Sequence, residues 1–494
     1  MTAPNPPGPE GPDLKVSRVE DSEPDVGGLD AGVRRIGILT ISALAVLIAP
    51  PLYLLLDLAV VGRLGGDELA ALAVATLMLS IISTQLTFLS YGTTARSARR
   101  YGAGDRPGAI TEGVQASWIA LAVGLVIIAV AWPVAPYVMS ALVGDASAVV
   151  ATEATQWVRV AVFGVPLILL SMAGNGWMRG VQETRRPVIY VVVGLAISAV
   201  LVVGLVHGLW VFPRLGIVGS AVANVIGQSL TGLLFAVRVV REQLVSARSS
   251  AAEEWGSVLE DFAPNRPVIA AQLVMARDLI VRSLSFQICF LSAAAVAARF
   301  GVAQVAAHQL VLQLWEFVSL FLDSVAIAAQ ALVGAALGAG SVIIARSVAW
   351  RVTLISVIAA AVMAAVFAAG ATSLPKVFTS DSAVLDAIGV PWWFFVAMLP
   401  IAGVVFALDG VLLGSGDAAF LRTATLVAAL VGFLPLIWMS LIFDWGLAGV
   451  WTGLVVFMIA RLIAVCLRIA SGRWYRVGAT TSAGSRADQV PGGG

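Results

Sequence analysis

Long apolar runs constrain this chain more than any other feature of its sequence. Mainly apolar stretches, each long enough for a helix of about 20 residues, recur along the whole chain between short polar segments. Only 12% of the 494 residues are charged and 59% are hydrophobic, whereas a soluble domain has about 25% charged residues. Because a backbone in lipid must satisfy its hydrogen bonds internally, we expect an all-α polytopic membrane protein.

The apolar runs predict about twelve transmembrane helices. The first six are expected at 36–62, 70–92, 112–140, 155–178, 188–211 and 216–238. The second six are expected at 270–298, 304–334, 346–371, 390–413, 420–443 and 446–470. These spans define a first lobe at 36–240, a cytoplasmic linker at 241–268 and a second lobe at 269–473. The polar ends, 1–35 and 474–494, are expected to be disordered cytoplasmic tails.

Arginine is distributed unequally between the loops. The even-numbered loops and the central linker contain most of it: Arg96, Arg99, Arg100, Arg106, Arg179, Arg185, Arg186, Arg241, Arg266, Arg346 and Arg422. The odd-numbered loops contain little. Cytoplasmic loops of membrane proteins carry an excess of Lys and Arg, so this pattern predicts that both termini lie in the cytoplasm. The predicted location is the inner (cytoplasmic) membrane of the cell.

An internal repeat relates the two halves. The segment Gly102-Ala103-Gly104 recurs as Gly338-Ala339-Gly340, and the glycine at position 65 recurs at position 301, both with an offset of 236 residues. Since each half has an even number of spans, both halves enter the membrane from the same side and are related by a pseudo-twofold axis along the membrane normal. Parallel repeats of this kind are typical of transporters with a central cleft.

One carboxyl group lies inside the first span. Asp57 has no basic residue within a helical turn, and Tyr53 lies four residues earlier on the same helical face. Pro50 and Pro51 precede them, and proline allows a helix to bend. A charge within an apolar span is costly and is a functional candidate for that reason, here as a group that gains and loses a proton. The alternative is a carboxyl that is simply solvated at the outer interface.

The second half contains a further set of candidates. Glu316 and Asp323 lie seven residues apart on one helix, Asp409 lies in the tenth span, and Gln287 in the seventh. They are expected to line the second lobe or the cleft. Asp278 and Arg282 are four residues apart, a spacing that allows a structural ion pair. Other polar residues within spans are Asn175, Ser198 and Asn224; such groups more often connect helices than bind substrate.

The sequence contains no motif of an enzyme. There is no phosphate-binding loop, no nucleophile with its base and no Cys/His cluster for a metal. The two cysteines lie in apolar runs and imply no disulfide framework. An ion gradient, not bound ATP, is therefore the expected source of energy.

Several short motifs resemble the multidrug and toxic compound extrusion (MATE) family, and within it the DinF-like branch. They are Pro51-x5-Asp57-x4-Gly62, then Gly176-Trp177-Met178-Arg179-Gly180, then Arg277-Asp278-x3-Arg282, and finally Leu322-Asp323 and Leu408-Asp409-Gly410. The resemblance extends from about Ile36 to Arg473. It implies two six-helix lobes, a central cavity, and export of amphipathic or cationic compounds in exchange for H⁺ or Na⁺.

The resemblance also suggests roles for the first-lobe residues. It implies a cation or proton site centred on Asp57 with Tyr53 beside it, supported by Asn175, while Asn224 replaces a threonine of the relatives. One departure matters: relatives commonly have Asn-x3-Asp in the fifth span, where this chain has Ser198 and Val202. The second carboxylate is absent, which favours H⁺ over Na⁺ as the coupling ion.

The expected function is secondary active efflux of small organic compounds by alternating access. We expect a monomer in lipid, with no nucleic-acid partner, no enzymatic activity, no metal site and no cofactor besides the coupling ion. One alternative is a flippase for lipid-linked precursors, whose cavity would carry several basic residues at mid-membrane; here arginines lie mostly at span ends. The other alternative is a non-transporting membrane receptor or scaffold.

Overall fold

The computed structural model describes residues 32–144, 147–209, 211–249 and 262–480. Within these residues, twelve helices are long and apolar enough to cross a bilayer. They are α1 (Val33–Val61), α2 (Gly66–Gly102), α3 (Arg106–Val143), α4 (Ala148–Gly180), α5 (Arg185–His207), α6 (Ile217–Ser246), α7 (Arg266–Arg299), α8 (Val302–Gly338), α9 (Val342–Ala369), α10 (Ser382–Gly414), α11 (Ala418–Ile442) and α12 (Gly446–Ala470). A short helix, Leu374–Phe378, lies between α9 and α10. The all-α fold with twelve spans is confirmed.

Most helices are longer than their apolar runs suggest. α2 continues to Gly102, ten residues past the expected end of its span, through a segment that contains Arg96, Arg99 and Arg100. Hydropathy falls at the first charged residue, but the helix ends only where the backbone turns. Here that turn is at Gly104, which has a positive φ of 75°, a conformation that glycine adopts readily.

Several helices begin at a side chain that caps them. Asp105 accepts a hydrogen bond from the Gly108 backbone N–H at 2.8 Å at the start of α3, and Asn265 accepts one from Val268 at 3.2 Å at the start of α7. Ser147, Ser341 and Asp381 do the same for α4, α9 and α10. Each cap satisfies a backbone donor that a helix leaves free at its first turn, so the short loops specify where each helix starts.

Three of the helices have irregular turns. α2 is interrupted at Thr87, α4 contains a 3₁₀ turn at Val162–Gly164, and α11 contains a π-helical segment at Ala428–Phe433. In α1, by contrast, the helix is continuous through Pro50 and Pro51. Each proline removes one backbone N–H from the helical ladder, so α1 has a weak point one to two turns before Asp57.

The helices form two lobes that share one core. One apolar cluster lies within the first lobe and includes Trp157, and a second lies within the second lobe and includes Trp392. A third cluster joins the lobes: it contains Leu89 and Leu169 from the first and Val333 and Leu412 from the second. The lobes therefore have separate cores at one end of the bundle and a common core toward the other.

The lobes approach most closely where α2 crosses α8. A Cβ atom on Gly102 would overlap the backbone of Ala335, and one on Gly338 would overlap the backbone of Arg99. Gly102 and Gly338 are the glycines that the 236-residue repeat relates. Each copy of the repeat thus supplies one glycine to the same crossing, where small residues let two backbones pack closely.

The ends of the chain differ from the expected tails where they are described. Helix α1 already begins at Val33. Trp474 is fully buried in the core shared by the lobes, and the Gly478 N–H donates to the Leu337 carbonyl at 3.0 Å. Residues 474–480 are therefore packed on the bundle because an indole and several backbone groups find partners there. The remaining tail segments and linker residues 250–261 lie outside the described residues.

We predict that Gly338→Ala weakens the crossing of α2 and α8. The added methyl group must displace the Arg99 backbone, and overpacking of this kind costs about 1–3 kcal/mol. The melting temperature of the purified protein in detergent measures this cost. Gly66→Ala is the matched control, because its Cβ atom would meet nothing within 4 Å. Equal melting temperatures for the two variants would show that the crossing is not tightly packed.

Candidate functional site: a charged cavity and a buried carboxylate

A cavity of about 580 Å³ lies between the lobes. Its wall comes from α7, α8, α10 and α12 of the second lobe, but only from α2 of the first. Aromatic side chains make up much of this wall: Phe88, Tyr91, Phe286, Phe290, Trp315, Phe406, Trp451 and Phe457. A site of this size, mainly apolar with a few polar groups, has the character of a small-molecule binding site.

Two arginines converge on one carboxylate in the cavity wall. A single oxygen of Asp409, Oδ2, accepts a hydrogen bond from Arg282 at 2.5 Å and another from Arg461. The Arg461 guanidinium also lies 4.7 Å from the centre of the Phe286 ring, a cation–π contact. Because a buried charge requires a partner, these three residues depend on one another, while the second Asp409 oxygen, Oδ1, is buried without a partner among the described residues.

The ion pair expected between Asp278 and Arg282 is not formed. Asp278 instead accepts hydrogen bonds from Arg277 at 2.8 Å and from Arg422 of α11 at 2.6 Å. Arg282 reaches across to Asp409 on α10. Spacing along one helix shows which side chains share a face but not which other helices pack on that face. The prediction of an Asp278–Arg282 pair was wrong for that reason, although Asp278 does form a local ion pair with its neighbour Arg277.

The other second-lobe candidates also line the cavity. Asp323 is close enough to Arg282 and Arg461 to interact with their charges, but it forms no hydrogen bond or close ion pair within the described residues. Glu316 lies two turns away on the same helix, is more exposed, and accepts a hydrogen bond from Gln313 at 3.3 Å. Gln287 accepts a hydrogen bond from Gln85 of α2. The structure therefore brings these four candidates, Asp409 included, into one cavity.

Asp57 lies in a separate, closed part of the first lobe. Its side chain is buried, with the residue 1% exposed. One carboxylate oxygen accepts a hydrogen bond from the Ser220 hydroxyl of α6 at 2.8 Å, and that hydroxyl accepts one from the Trp157 indole of α4 at 3.1 Å. The other oxygen has no partner among the described residues. Asp57 is therefore not a solvated carboxyl at the interface, as the alternative held.

Two of the polar first-lobe candidates, Tyr53 and Ser198, lie beside Asp57, and a third, Asn224, lies on the helix that supplies Ser220. The Tyr53 hydroxyl lies beside Asp57 and Ser198 and forms no hydrogen bond of ordinary geometry with the described residues. The Ser198 hydroxyl donates to the Ala223 carbonyl at 2.9 Å. Asn224 lies one turn after Ser220 on α6 and is half-buried. Val202, at the position of the missing carboxylate, is fully buried in the apolar core.

The remaining candidates lie apart from Asp57. Asn175 is on α4, about 27 Å farther along the helix than Trp157 at 1.5 Å per residue, and its side-chain oxygen is buried without a described partner. Pro50 and Pro51 are exposed on the outer surface of α1. Bending of α1 at these prolines stays a prediction, as does the role of Asn175.

Three residues of these sites were not found from the sequence. Ser220 and Trp157 look like ordinary helix residues, and only the packing of α4 and α6 brings them to Asp57. The importance of Arg461 could have been predicted from the sequence, because it is a basic residue in the middle of the apolar span α12. A buried charge predicts an opposite charge nearby, and Asp409 was the available partner.

A twelve-helix membrane protein with two repeated lobes and a cavity between them has the architecture of a secondary transporter. A family model described as MatE matches residues 43–203 and again residues 279–439. The two matches begin 236 residues apart, which confirms the internal repeat. The chain belongs to the MATE family of transporters, which are not enzymes.

Known relatives agree with this assignment. The chloroplastic protein DETOXIFICATION 44 of Arabidopsis thaliana is 30% identical over 470 residues, which cover 92% of this chain and 85% of the relative. DNA damage-inducible protein F of Escherichia coli is 30% identical over 441 residues, covering 87% and 91%. The resemblance to the DinF-like branch is thereby confirmed.

A crystal structure supports the fold. A MATE protein in the bent conformation aligns with a TM-score of 0.79 at 23% sequence identity, covering 91% of this chain and 98% of that one.

We predict that Arg461 and Asp409 are coupled energetically. Asp409→Asn removes the carboxylate that both guanidiniums bind directly and leaves only the more distant charge of Asp323, and breaking a buried pair costs about 3–5 kcal/mol. Adding Arg461→Met should recover much of that loss, because the uncompensated charge is removed. Thermal unfolding of the two single variants and the double variant in detergent tests this cycle. Additive losses would show that the two residues act independently.

Proposed function

We propose that this transporter exports amphipathic or cationic organic compounds in exchange for protons, and that Asp57 is the group that carries the proton. The observation that supports this most directly is the environment of Asp57: a fully buried carboxyl group that has one hydroxyl partner and no basic partner among the described residues. An uncompensated charge in such a place is strongly disfavoured. The carboxyl is therefore stable when protonated and must find new partners, or water, when it ionises.

The same environment favours H⁺ over Na⁺. A bound metal cation requires several oxygen ligands, but the described partner of Asp57 is one hydroxyl group. At the position of the second carboxylate, the side chain of Val202 supplies no oxygen. Proton binding requires only the carboxyl group itself.

The charge of the cavity supports a cationic or amphipathic substrate. Glu316, Asp323 and Asp409 are offset by only two cavity arginines, Arg282 and Arg461. Both arginines bind Asp409 directly, whereas Asp323 forms no hydrogen bond within the described residues and is therefore the cavity carboxylate best placed to accept one from a ligand. The aromatic wall around it suits flat apolar substrates and, through cation–π contacts, positive charge.

The orientation of the bundle completes the proposed cycle. The loops rich in arginine lie at the end where α2 crosses α8, and the positive-inside rule assigns that end, with both termini, to the cytoplasm of an inner-membrane protein. The structure is then the state that is closed to the cytoplasm. Protonation of Asp57 from outside would favour release of substrate, with α1 bending at Pro50 and Pro51, and deprotonation toward the cytoplasm would reset the transporter.

We expect Asp57→Asn to abolish export driven by a proton gradient. Asparagine keeps the shape and the hydrogen-bond acceptor but cannot exchange a proton. The assay is release of a fluorescent organic cation from vesicles that contain the purified protein, with ΔpH and a Na⁺ gradient imposed separately. Asp386→Asn, an exposed carboxyl early in α10, is the control. Normal ΔpH-driven export by Asp57→Asn, or export driven by Na⁺ alone, would contradict the proposal.

Asp323→Asn is expected to weaken binding of a cationic substrate about ten- to a hundredfold, the loss that removal of a charged hydrogen-bond partner produces. Glu316→Gln should weaken it less, because Glu316 is more exposed. Titration of the purified variants with the fluorescent cation measures both affinities. If the two substitutions have the same small effect, Asp323 does not hold the positive charge.

A flippase for lipid-linked precursors is the second candidate, and one observation favours it. Two guanidiniums do reach the cavity, although the sequence led us to expect arginines mostly at span ends. Both donate to Asp409, and the cavity carboxylates outnumber them, which disfavours a diphosphate. Movement of a fluorescent lipid-linked saccharide across the same vesicles, with no movement of the organic cation, would favour this candidate.

A further inference from the structure

Arg99 connects the lobes through an unusual set of hydrogen bonds. It belongs to α2 of the first lobe and is buried, with 2% of its surface exposed. Its guanidinium donates to three backbone carbonyls of the second-lobe half of the chain: Ser415 at 2.7 Å, Arg476 at 2.8 Å and Gly478 at 3.1 Å. No carboxylate pairs with it among the described residues. A buried guanidinium therefore depends on carbonyl groups that only the other lobe supplies.

Two of these carbonyls belong to the segment Trp474–Gly478, which we call the C-terminal strap. The Trp474 ring is buried, and its N–H donates to the Ile469 carbonyl at 3.2 Å. The Arg346 guanidinium of α9 lies 6.0 Å from the centre of the Tyr475 ring. The Gly478 N–H donates to Leu337 near the end of α8. The strap is thus fixed to α8, α9 and α12 and holds its carbonyls toward Arg99.

The position of Arg99 makes these bonds sensitive to movement of the lobes. The Arg99 backbone lies directly against Gly338 at the crossing of α2 and α8. If the lobes separate at this end, Arg99 loses its three acceptors together. Losing a hydrogen bond to a charged group costs more than losing a neutral one, so a guanidinium with three acceptors favours the closed arrangement strongly.

We propose that Arg99 and the C-terminal strap form a latch that keeps the arginine-rich end of the transporter closed and so sets the equilibrium between its two open states. The proposal requires that the lobes separate at this end during transport. It is independent of the coupling ion and of the substrate, because the latch touches neither Asp57 nor the cavity. It also gives residues 474–480 a role that the expected disordered tail would not have.

The test measures the distance between the lobes in purified protein, without substrate or ion gradient. Spin labels are attached to cysteines placed at the exposed positions Ala103 of the first lobe and Ile343 of the second, with Cys289 and Cys466 replaced. The variants are Arg99→Gln, Arg99→Lys, and a chain that ends at Arg473. One matched control is a chain that ends at Thr480, which keeps the strap. The other is Arg106→Gln: Arg106 is an exposed arginine at the same end of the bundle, and it donates a hydrogen bond to Glu242 of α6 in its own lobe.

We expect Arg99→Gln and removal of the strap each to raise the ratio of open to closed protein at this end at least about tenfold, the scale of one lost charged hydrogen bond. The combined shift should be smaller than the sum of the two separate shifts, since removal of the strap takes away two of the three acceptors that Arg99→Gln also disconnects. Arg99→Lys keeps the charge and should shift the ratio less. Both controls should match the original chain. The latch is refuted if folded Arg99→Lys and the chain ending at Arg473 both give the original distance distribution. It is also refuted if the shifts caused by Arg99→Gln and by removal of the strap add fully.

Discussion

A charged group inside this bundle must be paired, hydrogen-bonded or neutralised by gaining or losing a proton, because lipid and packed helices provide no water to stabilise the charge. Most of the buried charges meet that requirement by pairing, as Arg461 does with Asp409 and as Glu112 does with Arg96 at 2.7 Å. Arg99 meets it through carbonyl groups. Asp57 has one hydroxyl as its described partner, as Arg179 has in Ser90, but a carboxyl becomes neutral by binding a proton, whereas an arginine stays charged. The same physical rule therefore separates groups that hold the fold together from one group suited to exchanging a proton.

The two lobes repeat each other in backbone but not in chemistry. Gly102 and Gly338 make equivalent contacts at the crossing of α2 and α8, as their 236-residue relationship requires. The polar sites have no such counterpart: the lone carboxylate lies in the first lobe, and the cavity is formed mainly by the second. Asp57 is not among the residues that line the cavity. With Asp57 as the proposed proton carrier, coupling between ion and substrate is transmitted by movement of helices, as an equilibrium shared by two separate sites.

The sequence predicted the helices, the repeat and a carboxyl group inside the first span, where Asp57 is indeed buried, because these depend on local hydropathy and on spacing. It did not predict partners. Ser220 reaches Asp57, and Arg282 reaches Asp409, across helices far apart in the chain. The pairing of Asp278 with Arg422, in place of Arg282, has the same cause. The packing of residues 474–480 was also not predicted. Their hydropathy does not distinguish them from a disordered tail, and it is the buried ring of Trp474 that fixes the segment to the bundle.

The central claim is that a carboxylate in the first lobe and a cavity in the second are linked through one conformational equilibrium. Proton release on substrate binding tests it most directly, measured with a pH-sensitive dye in weakly buffered detergent solution. The original protein should release up to one proton for each molecule of cationic substrate bound, because linkage between the two sites is reciprocal. Asp57→Asn should bind the substrate without releasing a proton. Unchanged release from Asp57→Asn would contradict the account and move the coupling group to the cavity itself.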